Sequence, residues 1–121
     1  TEEHRRIVSL FSSELAAICA ATHLSIPERL GRLMTLAQRC FDALAAPACP
    51  AELTALALHG LLSHPSLQPL IFGGKGVGSG GDGSAQLLAR SEQAQTELIE
   101  RIREMGLPAF AVTVTPAASP N

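Results

Sequence analysis

The sequence predicts an α+β domain, with helices first and a small antiparallel sheet after them, in the order αααββαβ. Three observations predict it. Apolar residues recur every three or four positions through the first half of the chain and again ahead of Gly106, the spacing of a buried helix face. Two short apolar runs, 70–72 and 86–89, flank a glycine-rich stretch and read as the arms of a hairpin. Near the end, Phe110, Val112 and Val114 alternate with Ala111, Thr113 and Thr115, the period of a half-buried strand. Segregated runs of helix and strand imply a sheet with helices packed on one face.

The first helix is expected over 2–22. Ile7, Leu10, Phe11, Leu15, Ile18 and Cys19 share one face, Thr1 is the N-cap, and Glu2 and Glu3 suit the positive end of the dipole. Arg5 and Arg6 read as a solvated face. Residues 23–27 form a turn. Ser25 caps a second helix, with Pro27 in its first turn and Glu28 three residues on, the capping-box spacing. Leu30, Leu33, Met34, Ala37, Phe41 and Leu44 make its apolar stripe, and Pro47 ends it. A third helix is expected over 51–63, carrying Leu53, Leu56, Leu58, Leu61 and Leu62.

The hairpin follows, then a helix capped by Ser91, with Glu92 in its first turn and Leu98, Ile99, Ile102 and Met105 on its buried face. Glu97 and Arg101 are a favourable pair four apart. Gly106 suits the C′ position and Pro108 stops the helix. Residues 109–115 are the third strand, and 116–121 a frayed tail.

With 121 residues the chain is read as one domain, 1–121. It starts at Thr1, and the expectation is a fragment of a longer polypeptide, with the mature end of a processed protein as the alternative. A net charge of −2 offers nothing to nucleic acid. No apolar stretch reaches ~18 residues, so no membrane span is expected, and no signal-peptide pattern is present. Cys19, Cys40 and Cys49 are odd in number and lack C-x-x-C spacing, which argues against zinc and for a reducing cytoplasm. Cys19 and Cys40 read as core residues and Cys49 as a loop thiol. His4, His23, His59 and His64 include no pair four apart, so no metal site is expected; His64 lies in a turn.

The chemistry-bearing stretch is 73–84, Gly-Gly-Lys-Gly-Val-Gly-Ser-Gly-Gly-Asp-Gly-Ser, which holds seven of the ten glycines. Glycines at this density let a ligand or a second backbone come close, and successive bare N–H groups can cradle an anion. Lys75, Ser79 and Ser84 add a charge and two hydroxyls suited to phosphate oxygens. Asp82 opposes that use, unless it holds a cation or a substrate hydroxyl. The spacing is not Walker A, whose lysine follows its last glycine. Gly76, Gly78 and Gly81 match G-x-G-x-x-G, but a strand rather than a helix is expected next.

The stretch resembles the third, C-terminal motif of the GHMP kinases, the family of galactokinase, homoserine kinase, mevalonate kinase and phosphomevalonate kinase, which reads about G-A-K-L-T-G-A-G-G-G-G-C. Gly73, Lys75, Gly78, Gly80, Gly81 and Gly83 match it. Gly76, Val77 and Asp82 depart from it, Asp82 replacing a glycine. The resemblance implies a ferredoxin-like plait. It implies transfer of the ATP γ-phosphate to a hydroxyl of a sugar or related small metabolite, with Lys75, Gly78, Ser79, Gly80, Gly81, Asp82, Gly83 and Ser84 lining the phosphate or substrate site.

The family's phosphate loop and catalytic acid lie in an N-terminal domain. ATP and Mg2+ would therefore be held mainly by that partner domain, and this chain, with no catalytic residue, is expected to be inactive alone. Two other readings stay open: a non-catalytic ferredoxin-like module for ligand binding or assembly, self-association included, and a structural domain with a flexible glycine linker.

Overall fold

The structure is a computed structural model of the chain, and it describes residues 1–53, 55–77 and 83–113. The helices are α1 (Glu2–Ala20), α2 (Ile26–Leu44), a single turn α3 (Pro50–Leu53), α4 (Leu56–Leu62) and α5 (Glu92–Glu104). The strands are β1 (Ile71–Val77) and β2 (Ser84–Ala89), an antiparallel pair. The class is α+β.

Local chemistry explains the helix ends. Thr1 Oγ1 accepts the His4 N–H, Ser25 Oγ the Glu28 N–H and Ser91 Oγ the Ala94 N–H, so each long helix starts on a side-chain cap. At the end of α5, Gly106 takes φ +86°. Its N–H reaches the Arg103 carbonyl at 2.9 Å, and the Leu107 N–H reaches the Ile102 carbonyl at 3.3 Å. This is a Schellman closure, and glycine is there because the left-handed backbone penalises a Cβ.

The main core lies where β1 begins. Leu67, Leu70 and Ile71 pack on Ala94, Leu98 and Ile102 of α5, with Leu61, Leu87, Ala89 and Ala109 around them. Leu67 is fully buried. Arg101 ties the turn to α5, donating both to the Ser66 carbonyl and to Glu97.

Several expectations are corrected. The third helix is not continuous over 51–63: α3 and α4 are separate, and Ala55 stands between them at φ +42°. The third strand is absent over 109–113. There Arg103 Nε and Nη2 both donate to the Ala109 carbonyl, at 3.1 and 2.7 Å. The chain is thus held to the end of α5 instead of a sheet edge, and Phe110 and Val112 are 80% and 69% exposed. Residues 114 and 115 of that expected strand, and the tail 116–121, lie outside the described residues.

The apolar face of α1 is mostly open, because α1 packs chiefly on α2. Ile18 is buried, while Leu10 is 63% exposed and Cys19 is exposed rather than in the core. Met105, expected inside, lies past the last turn of α5 and is exposed. Cys40 is half-buried and Cys49 exposed. Among the described residues no helix is long and apolar enough to cross a membrane.

Candidate functional site

β1 is the glycine stretch itself. Gly73, Gly74 and Gly76 are buried in it, and the register runs from Ile71↔Ala89 through Lys75↔Gln86 to Val77↔Ser84. Between Ile71 and Gly73 the register shifts, with Phe72 as the extra residue of a bulge. The arms of the hairpin are therefore longer than the apolar runs suggested, and the first half of the glycine stretch is strand, not linker.

Glycine is required in β1 because helices press against its backbone. A Cβ on Gly73 would lie 1.9 Å from the Gly31 carbonyl oxygen and 2.8 Å from Thr35 Oγ1, both on α2. A Cβ on Gly74 would lie 2.5 Å from a Leu87 methyl, and one on Gly76 2.7 Å from a Leu58 methyl. Gly31 and Gly73 thus let α2 and β1 meet backbone to backbone.

A polar chain continues from this contact. Gln38 Oε1 accepts the Gly76 N–H at 2.7 Å, and Gln38 Nε2 donates to Asp42 Oδ1 at 2.9 Å. Asp42 Oδ2 is 2.9 Å from His59 Nε2, and His59 Nδ1 is 2.9 Å from the Ala55 carbonyl. Both ring nitrogens face acceptors; a neutral ring can donate to one of them and a protonated ring to both. The ring and its two acceptors form a clamp that joins α4 to α2 and, through Gln38, to β1.

Hydrophobic periodicity misses this face of α2. The residues turned to β1 are Gly31, Thr35, Gln38 and Asp42, spaced four, three and four, while Leu30 of the expected apolar stripe is 48% exposed. The spacing was present in the sequence, but its residues are small or polar.

Beside the clamp lies an open groove of about 990 Å3 between α1, α2, α4 and the start of β1. Gly73 and Gly74 line it, with Arg32, Arg39 and Arg90 among its side chains. Arg39 is paired with Glu14 at 2.8 Å and lies over the Phe11 ring, and Arg90 stacks on Phe72 with its guanidinium carbon 4.9 Å from the ring centre. Among the described residues no group of three or more His, Cys, Asp and Glu side chains could hold a metal ion.

The expected site residues separate as follows. Lys75 is half-buried in β1, opposite Gln86 and two residues before the last pair. Gly83 is exposed with open space where a Cβ would stand, and Ser84 is exposed at the start of β2. Lys75 and Ser84 thus lie at the same end of the hairpin. Gly78, Ser79, Gly80, Gly81 and Asp82 lie outside the described residues. His64 is in a turn as expected, its Nδ1 accepting the Ser66 N–H at 3.2 Å.

No family model, no curated protein and no solved structure matches the chain.

Proposed function

We propose that the chain is the C-terminal domain of an ATP-dependent small-molecule kinase similar to the GHMP kinases. In this reading the hairpin of 73–84 lines the site where a phosphoryl group passes to a hydroxyl of a sugar or related metabolite. The observation that carries it is the hairpin. Of the motif-matching residues, Gly73 and Lys75 fall on β1 and Gly83 directly precedes β2, and β1 is fixed by Gly31 and Gln38. A strand anchored in this way and continuous in sequence with a glycine-rich segment can offer backbone N–H groups to a phosphate, and positioning of that kind is a protein's main contribution to phosphoryl transfer.

In the reaction the acceptor oxygen bonds to the γ-phosphorus, the bond to the bridging β–γ oxygen breaks, and ADP leaves. An acidic residue of the N-terminal domain takes the hydroxyl proton. ATP and Mg2+ would be held by that domain and would supply the phosphoryl group and neutralise its charge. From this chain, Lys75 would add positive charge at the hairpin, Ser84 a hydroxyl, and Asp82 a contact to the acceptor hydroxyl. The accompanying fold is a ferredoxin-like plait, completed by strands beyond β1 and β2. The three free thiols fit a reducing cytoplasm.

The exposed Phe110 and Val112 favour a second reading, a non-catalytic ferredoxin-like ligand-binding or assembly module that buries this segment against a partner. Both readings are tested by assaying the intact polypeptide for ATP-dependent phosphorylation of a panel of sugar hydroxyls, with Lys75→Ala and Asp82→Ala beside it. Turnover lost with stability kept supports the kinase. Assembly lost, with no turnover in the parent, supports the module.

A further inference from the structure

The groove beside the clamp has a charge pattern that the hairpin does not explain. The chain as a whole carries −2, yet the groove has Arg32, Arg39 and Arg90 against Glu14 and Asp42. The carboxylates of Glu14 and Asp42 already have protein partners, Arg39 for Glu14 and Gln38 with His59 for Asp42. The side chains of Arg32 and Arg90 make no hydrogen bond or ion pair among the described residues. Two guanidinium groups therefore face one open groove with their donors unused by protein carboxylates.

The Arg90 guanidinium carbon lies over the Phe72 ring, 4.9 Å from its centre, a contact that leaves the N–H groups for an acceptor. Phosphate oxygens fit such N–H groups, and two arginines match a doubly charged group better than a single carboxylate. The wall beside them offers the Thr35 hydroxyl, and Ser63 Oγ and Gln68 Oε1 as acceptors, the donors of Ser63 and Gln68 being taken by the His59, Leu62 and His64 carbonyls. At about 990 Å3 the groove is larger than a bare anion needs and falls at the upper end of small-ligand sites.

We propose that this groove is a second ligand site, which binds a phosphorylated, hydroxyl-bearing small molecule through Arg32 and Arg90. It is distinct from the far end of the hairpin, where Val77 pairs with Ser84. Gly73 and Gly74 line the groove, whereas β1 does not reach its last pair until Val77. At the rise of a strand this puts Val77 and Ser84 roughly 10–15 Å further along. The proposal does not depend on the kinase reading.

The experiment is a titration of the protein with ribose 5-phosphate, followed by the amide signals of Gly73 and Gly74 and the guanidinium signals of Arg32 and Arg90. Ribose and the variants Arg32→Gln, Arg90→Gln and Lys75→Ala are run in parallel. Saturable shifts at the groove are expected with ribose 5-phosphate and not with ribose. Each arginine variant should weaken binding about ten-fold or more, the loss of a charge-assisted contact, with an unchanged Tm. Lys75→Ala should leave it unchanged. Three results overturn the proposal: no saturable shift, shifts indifferent to both arginine variants, or shifts confined to the Val77–Ser84 end of the hairpin and abolished by Lys75→Ala.

Discussion

Gln38 holds the glycine strand from the side: its Oε1 accepts the Gly76 N–H at 2.7 Å in a buried position. The same amide donates to Asp42, so one side chain links β1 to the clamp that includes His59. Gln38→Leu leaves a buried N–H without its partner. That loss should cost about 1–3 kcal/mol. The expected outcome is a lower urea midpoint with the slope kept, and faster amide exchange at Gly76 than at residues of α5.

The contact between Gly31 and Gly73 gives a sharper contrast. Gly73→Ala puts a methyl 1.9 Å from a carbonyl oxygen on α2, and neither backbone can yield without parting α2 from β1. Destabilisation of about 3 kcal/mol or more is expected, the overpacking range or beyond. Gly60→Ala is the control. Gly60 sits within α4 with nothing within 4 Å of its Cβ position, so alanine should stabilise by about 0.5–1 kcal/mol. Thermal unfolding of the two variants should move in opposite directions.

Thiol reactivity checks the packing of the helices. Cys19 and Cys49 are exposed and Cys40 is half-buried. Labelling of the native protein with an alkylating reagent, followed by peptide mass spectrometry, should modify Cys19 and Cys49 ahead of Cys40. Protection of Cys19 would mean that α1 buries its apolar face, as its periodicity suggested.

What was legible in the sequence was local. The caps at Thr1, Ser25 and Ser91 and the closure at Gly106 are each set by residues within four positions, and all four stand where their chemistry placed them. The hairpin was legible too, since its two arms lie close together in the sequence. What failed was long-range. Alternation over 109–115 shows only that a strand could bury one face; forming it needs a neighbour, and Arg103 takes the Ala109 carbonyl instead. The break at Ala55 carries no glycine or proline to mark it. Asp42 and His59 are 17 residues apart and meet only once α2 and α4 have packed. No spacing rule brings them together. The groove is likewise a product of four elements, and its arginines look in sequence like ordinary surface charge.

The central claim is that the glycine hairpin serves phosphoryl transfer. The direct measurement is kcat/KM for ATP-dependent phosphorylation of the best sugar acceptor by the intact polypeptide, in the parent and in Lys75→Ala. The expected result is measurable turnover by the parent, a loss of at least about ten-fold in Lys75→Ala with unchanged Tm, and no turnover by residues 1–121 alone. Absence of any ATP-dependent phosphorylation by the intact polypeptide, or a Lys75→Ala variant as active as the parent, would contradict the claim.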